Sequence, residues 1–174
     1  MKFKYFIYII LVSIFIILLT NTTCYAKEKY TIDTVEDLIK FASEVNGGNS
    51  FDGQTVYLMD NIDLEGSEDN QWTPIGTSSK EFKGTFEGNG YTISGIYIKK
   101  DNYDDVAFFG ENSGTIKNLG VYGEITGKHF LAGLCAENNG TIEKCFSEVT
   151  LTGKSINIGG IAAWNGGVRY WRCY

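Results

Sequence analysis

Apolar stretches of two to four residues alternate with Gly, Asn and Thr along most of the chain, and three such segments align. The first runs from Ala107 through Gly114-Thr115-Ile116 to Leu119. The second runs from Gly133 through Gly140-Thr141-Ile142 to Cys145, and the third opens at Gly159 and carries Asn165-Gly166-Gly167. Their shared asparagines, Asn112, Asn138 and Asn165, recur at intervals of 26 and 27 residues. A looser copy precedes them at Gly84-Thr85-Phe86-Glu87-Gly88-Asn89-Gly90-Tyr91-Thr92-Ile93, with Thr92-Ile93 in the place of Thr115-Ile116. The apolar pieces are too short and too often broken by Gly for helix. A repeat of this length with Gly and Asn at each corner predicts one coil of a parallel β-solenoid.

The segment before the repeats has a different period. Thr34 and Asp37 form a capping-box pattern, and Val35, Leu38, Phe41, Ala42 and Val45 fall on one helical face. Asn46-Gly47-Gly48-Asn49 ends it, so a helix is expected over about 33–46. Gln54–Met59 and Asn61–Leu64 then read as strands entering the first coil. An amphipathic helix in this position predicts a cap over the solenoid's open end, which would otherwise invite edge pairing. The fold class is therefore all-β, a parallel β-helix with an N-terminal capping helix, in one domain over 27–174.

Stacking fixes further expectations. Ile116 should lie over Ile142 and Leu119 over Cys145, forming an apolar ladder, while Lys117 beneath Glu143 should pair across the rung. The three asparagines should form an amide ladder at a corner where Asn tolerates left-handed backbone. Gly114, Gly140 and Gly167 should supply positive φ beside it.

Trp72-Thr73-Pro74-Ile75-Gly76, then Phe82-Lys83-Gly84-Thr85-Phe86-Glu87-Gly88-Asn89-Gly90-Tyr91-Thr92-Ile93, then the Gly-Thr-Ile repeats, resemble the GLUG-motif proteins. The resemblance spans about Tyr30 to Asn165. It implies a right-handed β-helix used for display or adhesion, as in bacterial surface proteins and the non-catalytic N-terminal region of IgA-type metalloproteases, and it brings no catalytic set. Gly167-Val168-Arg169-Tyr170-Trp171-Arg172-Cys173-Tyr174 departs from the expected Gly-Thr-Ile continuation, which predicts an interrupted reading frame.

The first residues bear on compartment. Lys2 and Lys4 precede the uncharged apolar run Phe6–Leu19, and Cys24-Tyr25-Ala26 follows. This reads as a secretory signal over 1–26, with an uncleaved anchor as the alternative. Both place the remainder outside the cytoplasm, secreted or at the cell surface, with membrane contact only through that segment. The chain has 15 basic and 21 acidic residues, net −6, and removing Lys2 and Lys4 makes it more acidic. That balance disfavours nucleic acid as a partner.

Candidate chemistry is sparse. His129 is the only histidine, which excludes His-based triads and the H-E-x-x-H zinc motif within the chain. Glu111 and Glu137 share a repeat position, one rung apart, the spacing of a retaining glycosidase pair. Trp164 occupies that slot in the third copy, which favours two solvated turn residues. Asp60–Asp69 and Asp101–Asp105 are oxygen-rich but lack any Ca²⁺ motif and read as solvated loops. Gly153-Lys154-Ser155 and Gly88-x-Gly90 read as turns, not phosphate loops. Cys145 and Cys173 could stack within disulfide reach, though buried free thiols, Cys135 included, fit the apolar ladder better. Tyr57, Trp72, Tyr91, Tyr97, Tyr103 and Tyr122 could stack on sugars but read as packing residues. The expectation is a non-enzymatic surface module without cofactor, metal or catalytic residues, whose partners are a host glycan or surface protein. A polysaccharide-active β-helix enzyme and a fragment of a larger surface protease are the alternatives.

Overall fold

The computed structural model describes residues 29–154, 157–167, 169–171 and 173. The expected signal segment, Cys24 with it, lies outside them. Among the described residues one helix and sixteen strands form four parallel sheets that run up a β-solenoid.

The first sheet stacks β1 (Tyr30–Ile32), β2 (Thr55–Leu58), β4 (Thr85–Glu87), β8 (Thr115–Lys117), β12 (Thr141–Glu143) and β16 (Arg169–Trp171). The second stacks β3 (Ile62–Asp63), β5 (Thr92–Lys99), β9 (Gly120–Gly127) and β13 (Phe146–Gly153). The third holds β6 (Asp104–Val106), β10 (His129–Ala132) and β14 (Ile158–Gly159). The fourth holds β7 (Phe109–Asn112), β11 (Cys135–Asn138) and β15 (Ala162–Asn165). From β4 onward each coil visits the four sheets in turn, while β1, β2 and β3 before it belong to the first two sheets alone, and paired strands lie one coil apart. The C-terminal residues keep this register, with Arg169 on Thr141 and Trp171 on Glu143.

Helix α1 (Val35–Gly47) starts at Thr34, whose hydroxyl accepts from the Asp37 amide while the Asp37 carboxylate accepts from the Thr34 amide. It stops at Gly48, in the left-handed region at φ 109°. Leu38, Phe41, Ala42 and Val45 are its buried face and join the solenoid core. Phe41 lies 5.6 Å and 5.7 Å from the rings of Phe82 and Phe86 in the first coils. The core is aromatic at this end and aliphatic further up, since Val56, Phe86, Ile116 and Ile142 succeed one another in a single buried column.

Register departs from expectation at the looser repeat. Thr115 lies on Thr85 and Ile116 on Phe86, while Thr92 lies on Gly120. The Gly-Thr-apolar frame of that coil is therefore Gly84-Thr85-Phe86, with a phenylalanine where later coils have isoleucine. A bulge between Ile93 and Ile96, with Gly95 at φ 66°, adds length that hides the alignment.

Candidate functional site

Inside the solenoid most repeat positions serve stacking. Asn112 and Asn138 are fully buried, and their amides run in line: Asn112 Nδ2 donates to Asn138 Oδ1 at 2.7 Å, and Asn138 Nδ2 to Asn165 Oδ1 at 2.8 Å. None of the three has positive φ, so the ladder stands on regular backbone and not on a left-handed corner. Gly114, Gly140 and Gly167 are not in the left-handed region either. They are small because of close approach: a Cβ on Gly140 would sit 2.0 Å from the Gly114 carbonyl oxygen, and one on Gly167 2.1 Å from that of Gly140. Lys117 is in register with Glu143 but turns the other way, to Glu87 at 3.2 Å, while Glu143 pairs with Lys144.

One place on the outside does not fit this pattern. Glu137 lies directly on Glu111, and Trp164 on Glu137. Glu111 is only 6% exposed, not a solvated turn residue. Among the described residues no hydrogen bond or ion pair reaches its carboxylate, and the four ion pairs there all lie elsewhere. Asp105, expected in a solvated loop, stands in β6 with φ 58°, and its Oδ1 is buried without a hydrogen-bond partner. Its neighbours Asp104 and Val106 pair with His129 and Leu131, which sets Phe130, also left-handed at φ 51°, opposite Asp105 in the next coil. This repeated kink turns Asp105 toward the fourth sheet.

Burial and like charge act together here. Burial first, then the charges of Glu137, Asp105 and Glu81, push the Glu111 carboxyl up to about 7. Glu137 is raised by burial and by Asp105, and Asp105 by burial and by Asp104. Beside them is a hollow of about 230 Å³ whose walls include Glu111, Asp105, Tyr103, Thr77, Pro74 and Lys100. Lys100 is the one cation among its lining residues, and its Nζ lies over the Tyr103 ring, 5.4 Å from the centroid, not on a carboxylate. Such a site can hold a proton between its carboxyls near neutrality or accept a cation. Among the described residues no group of three or more His, Cys, Asp or Glu is placed to hold a metal ion. The oxygen-rich Asp60–Asp69 loop is occupied with its own turns, Asp60 and Asp63 accepting from the amides of Asn61 and Glu65.

The repeat alignment had brought Glu111 and Glu137 together. It did not place Asp105 with them, because that contact joins different sheets through a backbone kink that no local pattern announces.

Among the described residues Cys135 and Cys145 are buried free thiols, and Cys173 is half-buried. Cys145 and Cys173 approach the carbonyls of Ile116 and Ile142, the same place in successive coils, and burial pushes the Cys145 thiol up to about 12. The aromatics do not share a face. Trp72 is 7% exposed, stacks on Phe108 at 5.2 Å and donates from Nε1 to the Phe108 carbonyl. Tyr57 lies under Lys29, Tyr91 packs against the core, and Tyr122 packs on Phe146. Of these six Tyr103 alone is well exposed, at 63%. A larger apolar hollow of about 390 Å³ lies between α1 and the Trp72 loop, bordered by Val35, Ile39, Leu64 and Trp72.

No family model and no solved structure matches the chain. It is similar to Halomucin of Haloquadratum walsbyi, 27% identical over 146 residues that make up 78% of this chain and 2% of that protein. It is also similar to a Gly-rich membrane protein of Evansella cellulosilytica, 30% identical over 123 residues, 64% of this chain and 14% of that one. The chain thus spans a small part of each relative's length. No helix among the described residues is long and apolar enough to cross a membrane. The fold is a β-solenoid and its relatives are of surface or membrane type, which is compatible with a surface repeat module.

Proposed function

We propose that the chain is an exported, non-enzymatic repeat module that displays, spaces or adheres at the cell surface, related to the GLUG-motif proteins. The observation that carries this reading is the use of repeat positions for stacking. The asparagine amides, the glycine close approaches and the apolar column are all consumed in joining coil to coil. Similarity to small parts of much longer proteins supports it, since a solenoid grows by adding coils. The partner class is a glycan or a surface protein. Surface shaving tests the location: protease added to intact cells should release peptides from 29–154, whereas release only after lysis would overturn it.

A second reading, polysaccharide cleavage, rests on the Glu111–Glu137 stack. Two carboxyls one rung apart are separated by roughly 5 Å, the spacing of a retaining pair, and one held protonated near neutrality suits a general acid. It requires turnover of a polysaccharide that is lost in both Glu111→Gln and Glu137→Gln. Absence of turnover across neutral, acidic and amino glycans would set it aside.

A further inference from the structure

The carboxyls at the junction of the third and fourth sheets are built like half of an ion pair. Glu111 is only 6% exposed, borders the hollow and has no hydrogen-bond or ion-pair partner among the described residues. Asp105 borders the same hollow with a buried, unpartnered Oδ1. Burying a carboxylate without a donor costs several kcal/mol in general, and here buried Glu111 has half-buried Asp105 and Glu137 beside it. Protonation is one way out; a bound cation is the other.

We propose that this hollow receives the ammonium group of a lysine side chain from a protein partner, held by Glu111 and Asp105 with Glu137 behind them. A divalent metal is disfavoured because among the described residues no three acidic side chains converge as ligands. An ammonium needs less: a single charge, with donors that two carboxylates satisfy. The rest of the wall suits its stem. Pro74, Val106 and the Tyr103 ring offer apolar surface for the methylenes, and Thr77 and Ser78 add hydroxyls at the mouth. Tyr103 already carries an ammonium over its face, that of Lys100, which marks the ring as a surface favourable to a cation. The charged groups facing Glu111 are Glu137 from β11, Asp105 from β6 and Glu81 from the preceding coil, with Lys100 at the rim. The inference deepens the adhesion reading above but stands on the pocket, so failure to bind lysine leaves surface location untouched.

The test uses the purified full chain in a mild non-ionic detergent and Nα-acetyl-lysine amide as probe, followed by NMR titration at pH 8 and low salt. Saturable binding is expected, with a dissociation constant on the order of a millimolar. It should weaken as pH falls through about 7, where Glu111 takes up its proton. Glu111→Gln and Asp105→Asn should each weaken it tenfold or more, and Glu87→Gln, an ion-paired carboxylate outside the hollow, should not. Lack of saturable binding, or binding indifferent to both Glu111→Gln and Asp105→Asn in variants that melt normally, overturns the proposal. Tighter binding of glucosamine, or of Ca²⁺, than of the lysine probe overturns it in favour of an amino glycan or a metal.

Discussion

At the residue scale the fold depends on two kinds of side chain, the ladder asparagines and the unpaired acids, and they act in opposite directions. Asn138 gives one amide bond and receives another, so Asn138→Ala leaves the buried Asn112 amide without its acceptor, while the exposed Asn165 turns to water. A buried orphan costs about 1–3 kcal/mol, and urea unfolding of this variant should show a loss of that size. Glu111 works the other way. Its folded carboxyl is raised above the unfolded value of 4.5 to about 7, so the native state binds the proton more tightly. The stabilising effect of protonation is therefore present at low pH and is lost as pH rises from about 4.5 through about 7. Melting temperature should fall between pH 5 and pH 8, by the equivalent of about 2 kcal/mol, and Glu111→Gln should flatten that slope. Both ladders could be read from residue order because equal spacing means equal height in a stack. The reason for the glycines could not: Gly114 and Gly140 look like turn residues in one dimension, and only the neighbouring coil shows that a carbonyl occupies the space of their Cβ.

At the element scale the helix and the glycine row set the limits of the stack. Phe41 brings α1 onto the aromatic end of the core, touching Phe51, Phe82 and Phe86. Truncating it to Ala should cost about 3–5 kcal/mol and, by circular dichroism, separate helix melting from sheet melting. Gly140→Ala should fail to stack, since its Cβ meets the Gly114 carbonyl at 2.0 Å, whereas Gly160→Ala, with nothing within 4 Å, should melt as the parent does. A parent-like Gly140→Ala melt would contradict the close approach. The helix was fully legible beforehand, because a capping box, a buried face of Leu38, Phe41, Ala42 and Val45 and a Gly48 stop are all local signals. The second coil was less so. Its bulge at Ile93–Ile96 and its Phe86 in the isoleucine column break the spacing and the identity on which alignment by eye depends.

At the scale of the whole molecule, register is what joins a Gly-rich sequence into one continuous stack of coils. Eight consecutive residue pairs join β9 to β13, from Gly120 on Phe146 to Gly127 on Gly153. The solenoid class followed from the period alone, whereas the acidic hollow did not, because Asp105, Glu111 and Tyr103 come together from different sheets and a loop. The parallel in-register stack is the claim on which surface display, the ladders and the hollow all rest. Spin labels at Glu124→Cys and Thr150→Cys, both exposed and paired in register, test it in a background with the native cysteines replaced. The stack places their backbones roughly 5 Å apart, so strong dipolar broadening is expected for this pair, and weaker broadening when the second label is moved to Glu148. Spectra that show no broadening for Glu124 with Thr150, or stronger broadening with Glu148, would contradict the stacked parallel coils.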